Sequence, residues 1–286
     1  MKRLLACALV LILAAGTFEA SADDAEVTVK TNLSYYDGKD RDEKKNCLDL
    51  YVPSGKGPFP VLAWVHGGAW TFGDRAQYKH VGRAFAKEGI LTAIVGYRLS
   101  PGVAHPEHVR DVARSLAWLR KHAKEYGGDP EGLFVSGQSA GGHLSALVAL
   151  DPTYLKEQGL ELSAIKGAIP MSGVFGALAL RVFPDAFPAE TREDAAPLNH
   201  VGKDKPPFLV TWGDADPVNL RAGGKMLASK LADVGCKVQS LEVKDRNHLT
   251  IVMKIGSDKD ELTAATVKFV KDTMAAKAAK PEKQFR

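Results

Sequence analysis

Cysteine is scarce in this sequence, with three residues in 286, at positions 7, 47 and 236. Charge of one sign is not in excess either: 38 Lys and Arg face 34 Asp and Glu, a net +4. The lysines are scattered and form no basic stripe, which argues against nucleic acid as a partner. Asp, Glu, His and Cys do not cluster at metal-ligand spacings, so neither a metal nor another cofactor is expected. No internal repeat or low-complexity block interrupts the chain, which is long enough to bury a sizeable core.

Long apolar runs are absent except at the start. In "MKRLLACALVLILAAG", Lys2 and Arg3 flank an uncharged run from Leu4 to Ala15, and "ASA" follows at 20–22. This pattern predicts a secretory signal peptide over 1–22, too short for a comfortable membrane span; an uncleaved anchor is the alternative. Cleavage near Ala22 implies an exported protein, periplasmic or secreted, with no stable membrane span left. Losing Lys2, Arg3 and Glu19 lowers the net charge from +4 to +3. Cys7 departs as well, so Cys47 and Cys236 could form one bridge in an oxidising compartment. The tail "KAAKPEKQFR" reads as a solvated, fraying end.

The remaining chain alternates apolar runs with helical patterns. "FPVLAWVHG" (59–67), "ILTAIVGY" (90–97), "LFVSG" (133–137), "GAIPMSG" (167–173) and "PFLVTWG" (207–213) are near-continuously apolar, as expected of strands covered on both faces. "VTVKTNLSYY" and "CLDLYVP" alternate more and suit outer antiparallel strands. Helical spacing runs over 107–121, 142–150 and 220–234, and again along the last segment through Leu262, Ala265, Phe269 and Met274. Strand alternating with helix predicts an α/β fold, a mostly parallel sheet with helices on both faces. Ligands then bind beyond the carboxyl ends of the strands.

Two motifs lie just after such strands. "GQSAG" (137–141) follows "LFV" and opens a helical stretch, which suits a nucleophile elbow that presents Ser139. A plain tight turn is the alternative. The helix start behind the serine favours developing negative charge. "HGGAW" (66–70) follows "VLAWV". A glycine-rich loop lets backbone N–H groups approach a substrate closely, as an oxyanion requires. The amide of Ala140, after the serine, is a further donor.

From "LDLYVP" to the last helix the sequence resembles the α/β-hydrolases, in the esterase group near hormone-sensitive lipase and the bacterial feruloyl-esterase-like and kynurenine-formamidase-like enzymes. "HGGAW", "YRLSP", "YGGDPEGLFVSGQSAGGHLSAL", "PPFLVTWGDADPV" and the late "NH" carry the likeness. The resemblance implies oxyanion-hole amides at Gly68 and Ala69, besides Ala140. It also implies the chain order serine, acid, histidine. His248, after "VQSLEV", is then the base, with His200 in reserve. Asp216 is the acid, ahead of its neighbour Asp214, which reads as a turn residue. His143, one turn into the elbow helix, reads as packing. By analogy to the fold, Cys47 and Cys236 lie too far apart across the sheet to bridge.

The function expected from this likeness is hydrolysis of small or medium acyl esters through a Ser139-Asp216-His248 triad and an acyl-enzyme, with a small-molecule ester as the partner. Acetyl or feruloyl esters of carbohydrates are candidate substrates. An arylformamidase shares the chemistry, and a non-catalytic binding module on a hydrolase scaffold is the reading from another class. Arg98 and Asp111 could fix the region near the oxyanion loop, or form an ordinary surface pair. Trp70 and Phe175 are candidate substrate contacts, with core packing as the other reading. Segment 173–205, which carries Phe175, Phe183 and Phe187, reads as a cap or acyl-pocket insertion in the 23–286 domain.

Overall fold

The five runs of unbroken apolar character become interior strands because each strand feeds two cores at once. The computed structural model describes residues 27–278. The expected leader and most of the expected frayed tail lie outside these residues. Eight strands form one sheet: β1 Val27–Ser34, β2 Cys47–Pro53, β3 Phe59–Val65, β4 Leu91–Val95, β5 Gly128–Gln138, β6 Ile165–Met171, β7 Phe208–Gly213 and β8 Val238–Val243. Their order is β1-β2-β4-β3-β5-β6-β7-β8. β1 and β2 pair antiparallel, as do β2 and β4, and every later pairing is parallel. In β3, Val61, Ala63 and Val65 join one hydrophobic core while Leu62 and Trp64 join the other. Successive side chains point to opposite faces, so a strand covered on both sides shows no polar alternation.

The helices divide between these cores. α1 (Lys79–Lys87) and α8 (Glu261–Ala278) contribute Val81, Phe85, Leu262 and Phe269 to one. α2 (Glu107–His122), α3 (Ala140–Leu150) and α6 (Val218–Asp233) contribute Val112, Leu116, Leu144 and Leu227 to the other. Burying one such side chain stabilises the fold by roughly 1.5–3 kcal/mol. Short helices α4 (Pro152–Lys156), α5 (Ala177–Leu180) and α7 (Thr250–Met253) lie in connections. None of the described helices is long and apolar enough to cross a membrane.

Two details differ from the sequence-based reading, and one alternative left open there is resolved. α1 had no assignment, since Gly82 interrupts its short apolar period. β5 starts at Gly128 rather than Leu133, because "GDPEG" stays extended and Gly128 pairs with Phe59. The Arg98–Asp111 pair is buried, not an ordinary surface pair. Arg98 donates through Nε to Asp111 Oδ2 at 2.8 Å and through Nη2 to Oδ1 at 2.9 Å, and Asp111 is inaccessible. Cys47 and Cys236 are both free. Cys47 begins β2, one strand in from one edge, and Cys236 precedes β8 at the other edge.

Candidate active site

Parallel strands end on the same side of a sheet, so the loops after β3, β5, β7 and β8 meet at one rim. Ser139 follows β5 with φ +59° and ψ −116°, a left-handed conformation in which a non-glycine residue is strained. The turn is sharp because α3 returns against β3: a Cβ on Gly141 would lie 2.0 Å from Val65 O. Asp216 follows β7 and His248 follows β8. His248 Nε2 lies 2.9 Å from Ser139 Oγ, and its Nδ1 lies 3.2 Å from Asp216 Oδ1. The other Asp216 oxygen accepts from Ser172 Oγ at 2.5 Å and from the Gly213 amide at 2.9 Å. Burial pushes the Asp216 carboxyl up, but the hydrogen bonds from His248, Ser172 and Gly213 together hold it below the ordinary range. An ionised carboxylate there fixes the imidazole with its proton on Nδ1, leaving Nε2 free to accept from the serine.

The loop after β3 is held from beneath. The His66 ring stacks on Tyr97 with centroids 4.4 Å apart, and Nδ1 lies 2.7 Å from Gly67 O. Burial brings the His66 imidazole down to about 4, so at neutral pH it is uncharged and donates through Nδ1–H. Tyr97 Oη donates to His66 O, and the Ser100 amide donates to Trp70 O at 2.8 Å. Arg98 stands between Tyr97 and Ser100 in the chain, and its buried pairing with Asp111 of α2 so braces this loop from the β4 side. A Cβ on Gly68 would meet Phe72 O at 2.0 Å, so only glycine fits. Among the described residues no acceptor takes the amides of Gly68, Ala69 or Ala140. Gly68, Ala69, Ser139 and His248 all line one cavity of about 540 Å³. Val174, Ala179, Val182, Phe183 and Leu220 supply its apolar wall, and no Asp, Glu, Lys or Arg among the described residues lines it.

Residues 48–166 match the BD-FAE family. That stretch is under half of the chain and holds Ser139 but neither Asp216 nor His248. The probable carboxylic ester hydrolase LipM of Mycobacterium tuberculosis is 37% identical over 180 residues, covering 56% of this chain and 42% of LipM. Esterase LipQ of the same organism is 31% identical over 230 residues, covering 72% of this chain and 54% of LipQ. The chain spans about half the length of these curated relatives. A solved structure, the truncated form of a carbohydrate esterase from gut microbiota, superposes with a TM-score of 0.75 at 22% identity, over 89% of this chain and 99% of that one. The chain has the α/β-hydrolase fold.

Within this hydrolase fold the other expected site residues sort clearly. Trp70 and Phe175, expected as substrate contacts, are not on the cavity wall. Trp70 is 1% exposed and meets His143, Phe183 and Phe187 edge-on, with ring centroids 4.7–5.0 Å away. Phe175 is 2% exposed and packs in the same core, against Gly173. The segment between β6 and β7 instead presents Val174, Ala179, Val182 and Phe183 to the cavity. His143 is buried and its Nε2 lies 2.8 Å from Ala195 O, which pins that segment to α3. His200 does not reach Ser139; it sits beside Asp151 and Asp194. Asp214 accepts from the Arg246 amide and shapes the loop. Sequence reasoning missed Ser172, Tyr78 and Gln138. Ser172 follows β6 and reaches Asp216. Tyr78 Oη accepts from the Gly67 amide at 3.1 Å. Gln138 stood in view as the variable position of the elbow.

Proposed function

We propose that the chain is a serine hydrolase of carboxylic esters, with Ser139 as nucleophile, His248 as base and Asp216 as orienting acid. The observation that carries the reading is the hydrogen-bonded series Ser139–His248–Asp216, opening on an uncharged cavity. His248 Nε2 takes the serine proton as Oγ attacks the acyl carbon. The carbonyl oxygen becomes an oxyanion held by the amides of Gly68, Ala69 and Ala140. The intermediate collapses, the C–O bond to the alcohol breaks, and the imidazolium returns its proton to the leaving oxygen. Water then attacks the acyl-enzyme with His248 again as base, releasing acid and free serine. Asp216 stays ionised and stabilises the charged ring.

The cavity suits a small or medium apolar acyl group on a neutral alcohol. Acetyl and feruloyl esters of carbohydrates fall in that class, and the fold likeness to a carbohydrate esterase is in keeping with them. Removal of a leader over 1–22 and action outside the cytoplasm complete the proposal. Two measurements test it. A fluorophosphonate should label Ser139 in folded protein and not after H248A substitution. Against a panel of p-nitrophenyl esters, feruloyl esters, acetylated xylan and N-formylkynurenine, turnover of the formamide alone would overturn the ester reading.

A further inference from the structure

Gln138 ends β5 and its side chain faces the candidate site, yet the residue is only 4% exposed. Its Nε2 lies 2.8 Å from the backbone oxygen of His248, which can only accept, so the amide nitrogen is the end that points there. The same nitrogen is 3.3 Å from His248 Nε2. On the other side, a Cβ on Gly67 would come within 2.7 Å of Gln138 Oε1. The carboxamide is thus wedged between the oxyanion loop, the nucleophile beside it in sequence, and the base that lies 110 residues away.

We infer that Gln138 is a positioning residue: it ties the His248 loop to the elbow and keeps imidazole Nε2 directed at Ser139. The inference rests on the triad reading above. His248 is carried by the connection between β8 and α7, and its side chain is 28% exposed. Asp216 fixes the ring at Nδ1, and Gln138 fixes the backbone from which the ring projects. The donor near Nε2 has a second effect. In the resting protein it shares the single Nε2 lone pair with the closer Ser139 hydroxyl. Once the ring has taken the serine proton it faces an N–H, an unfavourable contact relieved when His248 passes the proton to the leaving alcohol. Among the described residues, the side chains bonded to the ring besides Asp216 are Ser139 and Gln138, both uncharged.

Two substitutions in the full-length protein test this with p-nitrophenyl acetate as probe. Gln138→Met keeps the length and removes the donor. It should lower kcat by about tenfold or more, with KM within about twofold and an unchanged circular dichroism spectrum. Gln138→Glu keeps the shape and puts an acceptor beside the ring, which favours the protonated imidazole. The acid limb of its kcat/KM profile should move up by about one pH unit or more, a change that a merely structural role would not cause. Wild-type kcat in the first variant, or an unmoved acid limb in the second, overturns the inference. H248A is the control that separates the two readings: if it hydrolyses ester normally the triad fails, whereas an inactive H248A beside unaffected Gln138 variants removes only the role of Gln138.

Discussion

Ser172 Oγ lies 2.5 Å from Asp216 Oδ2, the carboxylate oxygen that His248 does not use. The acid is therefore held at both oxygens, and its direction does not depend on the histidine. Asp216→Asn keeps the shape but removes the negative charge and lets the amide donate to the ring. It should lower kcat by about 10³–10⁴-fold with little change in fold. Ser172→Ala removes one partner of a buried charge and should cost about 1.5–3 kcal/mol of stability, with a smaller loss of rate. Ester kinetics and thermal melts on the two variants check both expectations.

Three inaccessible histidines make the fold sensitive to acid. Burial drives His66 down to about 4 and His108 and His143 to about 3. In the unfolded chain each binds a proton below about pH 6.5. Between that pH and the folded values the unfolded state holds more protons, so stability falls as pH falls. Each histidine contributes a slope of up to about 1.4 kcal/mol per pH unit; its stability is fully present above pH 6.5 and lost progressively toward about pH 4 for His66 and about pH 3 for His108 and His143. The melting temperature should hold from pH 7.5 to about 6.5 and then drop steadily toward pH 5. A flat profile would contradict the neutral burial of these rings.

The backbone of Ser139 opposes its own side chain. At φ +59° and ψ −116° a residue with a Cβ is strained by about 1–3 kcal/mol. Both Ser139→Ala and Ser139→Gly should abolish turnover, but only the glycine relieves the strain. The glycine variant should melt above the alanine variant, against the usual order for these two residues. Differential scanning calorimetry on the pair reads this directly; equal melting temperatures would mean the elbow is unstrained.

Arg98 is the brace whose loss should be felt at a distance. Besides Asp111 it meets Asp40 at 2.5 Å and Glu107 at 2.7 Å. Arg98→Ala leaves the inaccessible Asp111 with the Arg114 contact at 2.6 Å as its remaining ion pair. That should cost about 3–5 kcal/mol. Because Tyr97 and Ser100 hold the oxyanion loop, kcat should fall as well. Arg98→Lys keeps the charge without the planar fork and should recover part of the stability. Equilibrium urea unfolding of both variants, paired with rates below the transition, is the check.

Much of this is legible in the sequence. Ser139 and Asp216 each follow an apolar run that reads as an interior strand, His248 follows the polar edge strand β8, and parallel strands deliver all three positions to one rim. Ser172, Tyr78 and Gln138 were hidden for the opposite reason. Their contacts join separate strands and loops, and nothing local in the chain marks a residue for a distant partner. Trp70 and Phe175 show a different limit. A motif tells that an aromatic is near the site, but not which way it points. Trp70 has φ +58° in the loop after β3, and this turns its ring down into the core. Phe183, eight positions after Phe175, reaches the cavity instead, together with Phe72 and Tyr78.

The proposed base, His248, is supplied from beyond β8, an edge strand of the sheet and the last of the described strands in chain order. A nascent or partly folded chain that has closed the sheet only as far as β7 would own the serine, the carboxylate and the loop amides, yet be chemically silent. Reactivity toward a phosphonate is therefore a clock for the final docking step, and the return of labelling during refolding would time the arrival of one edge of the sheet.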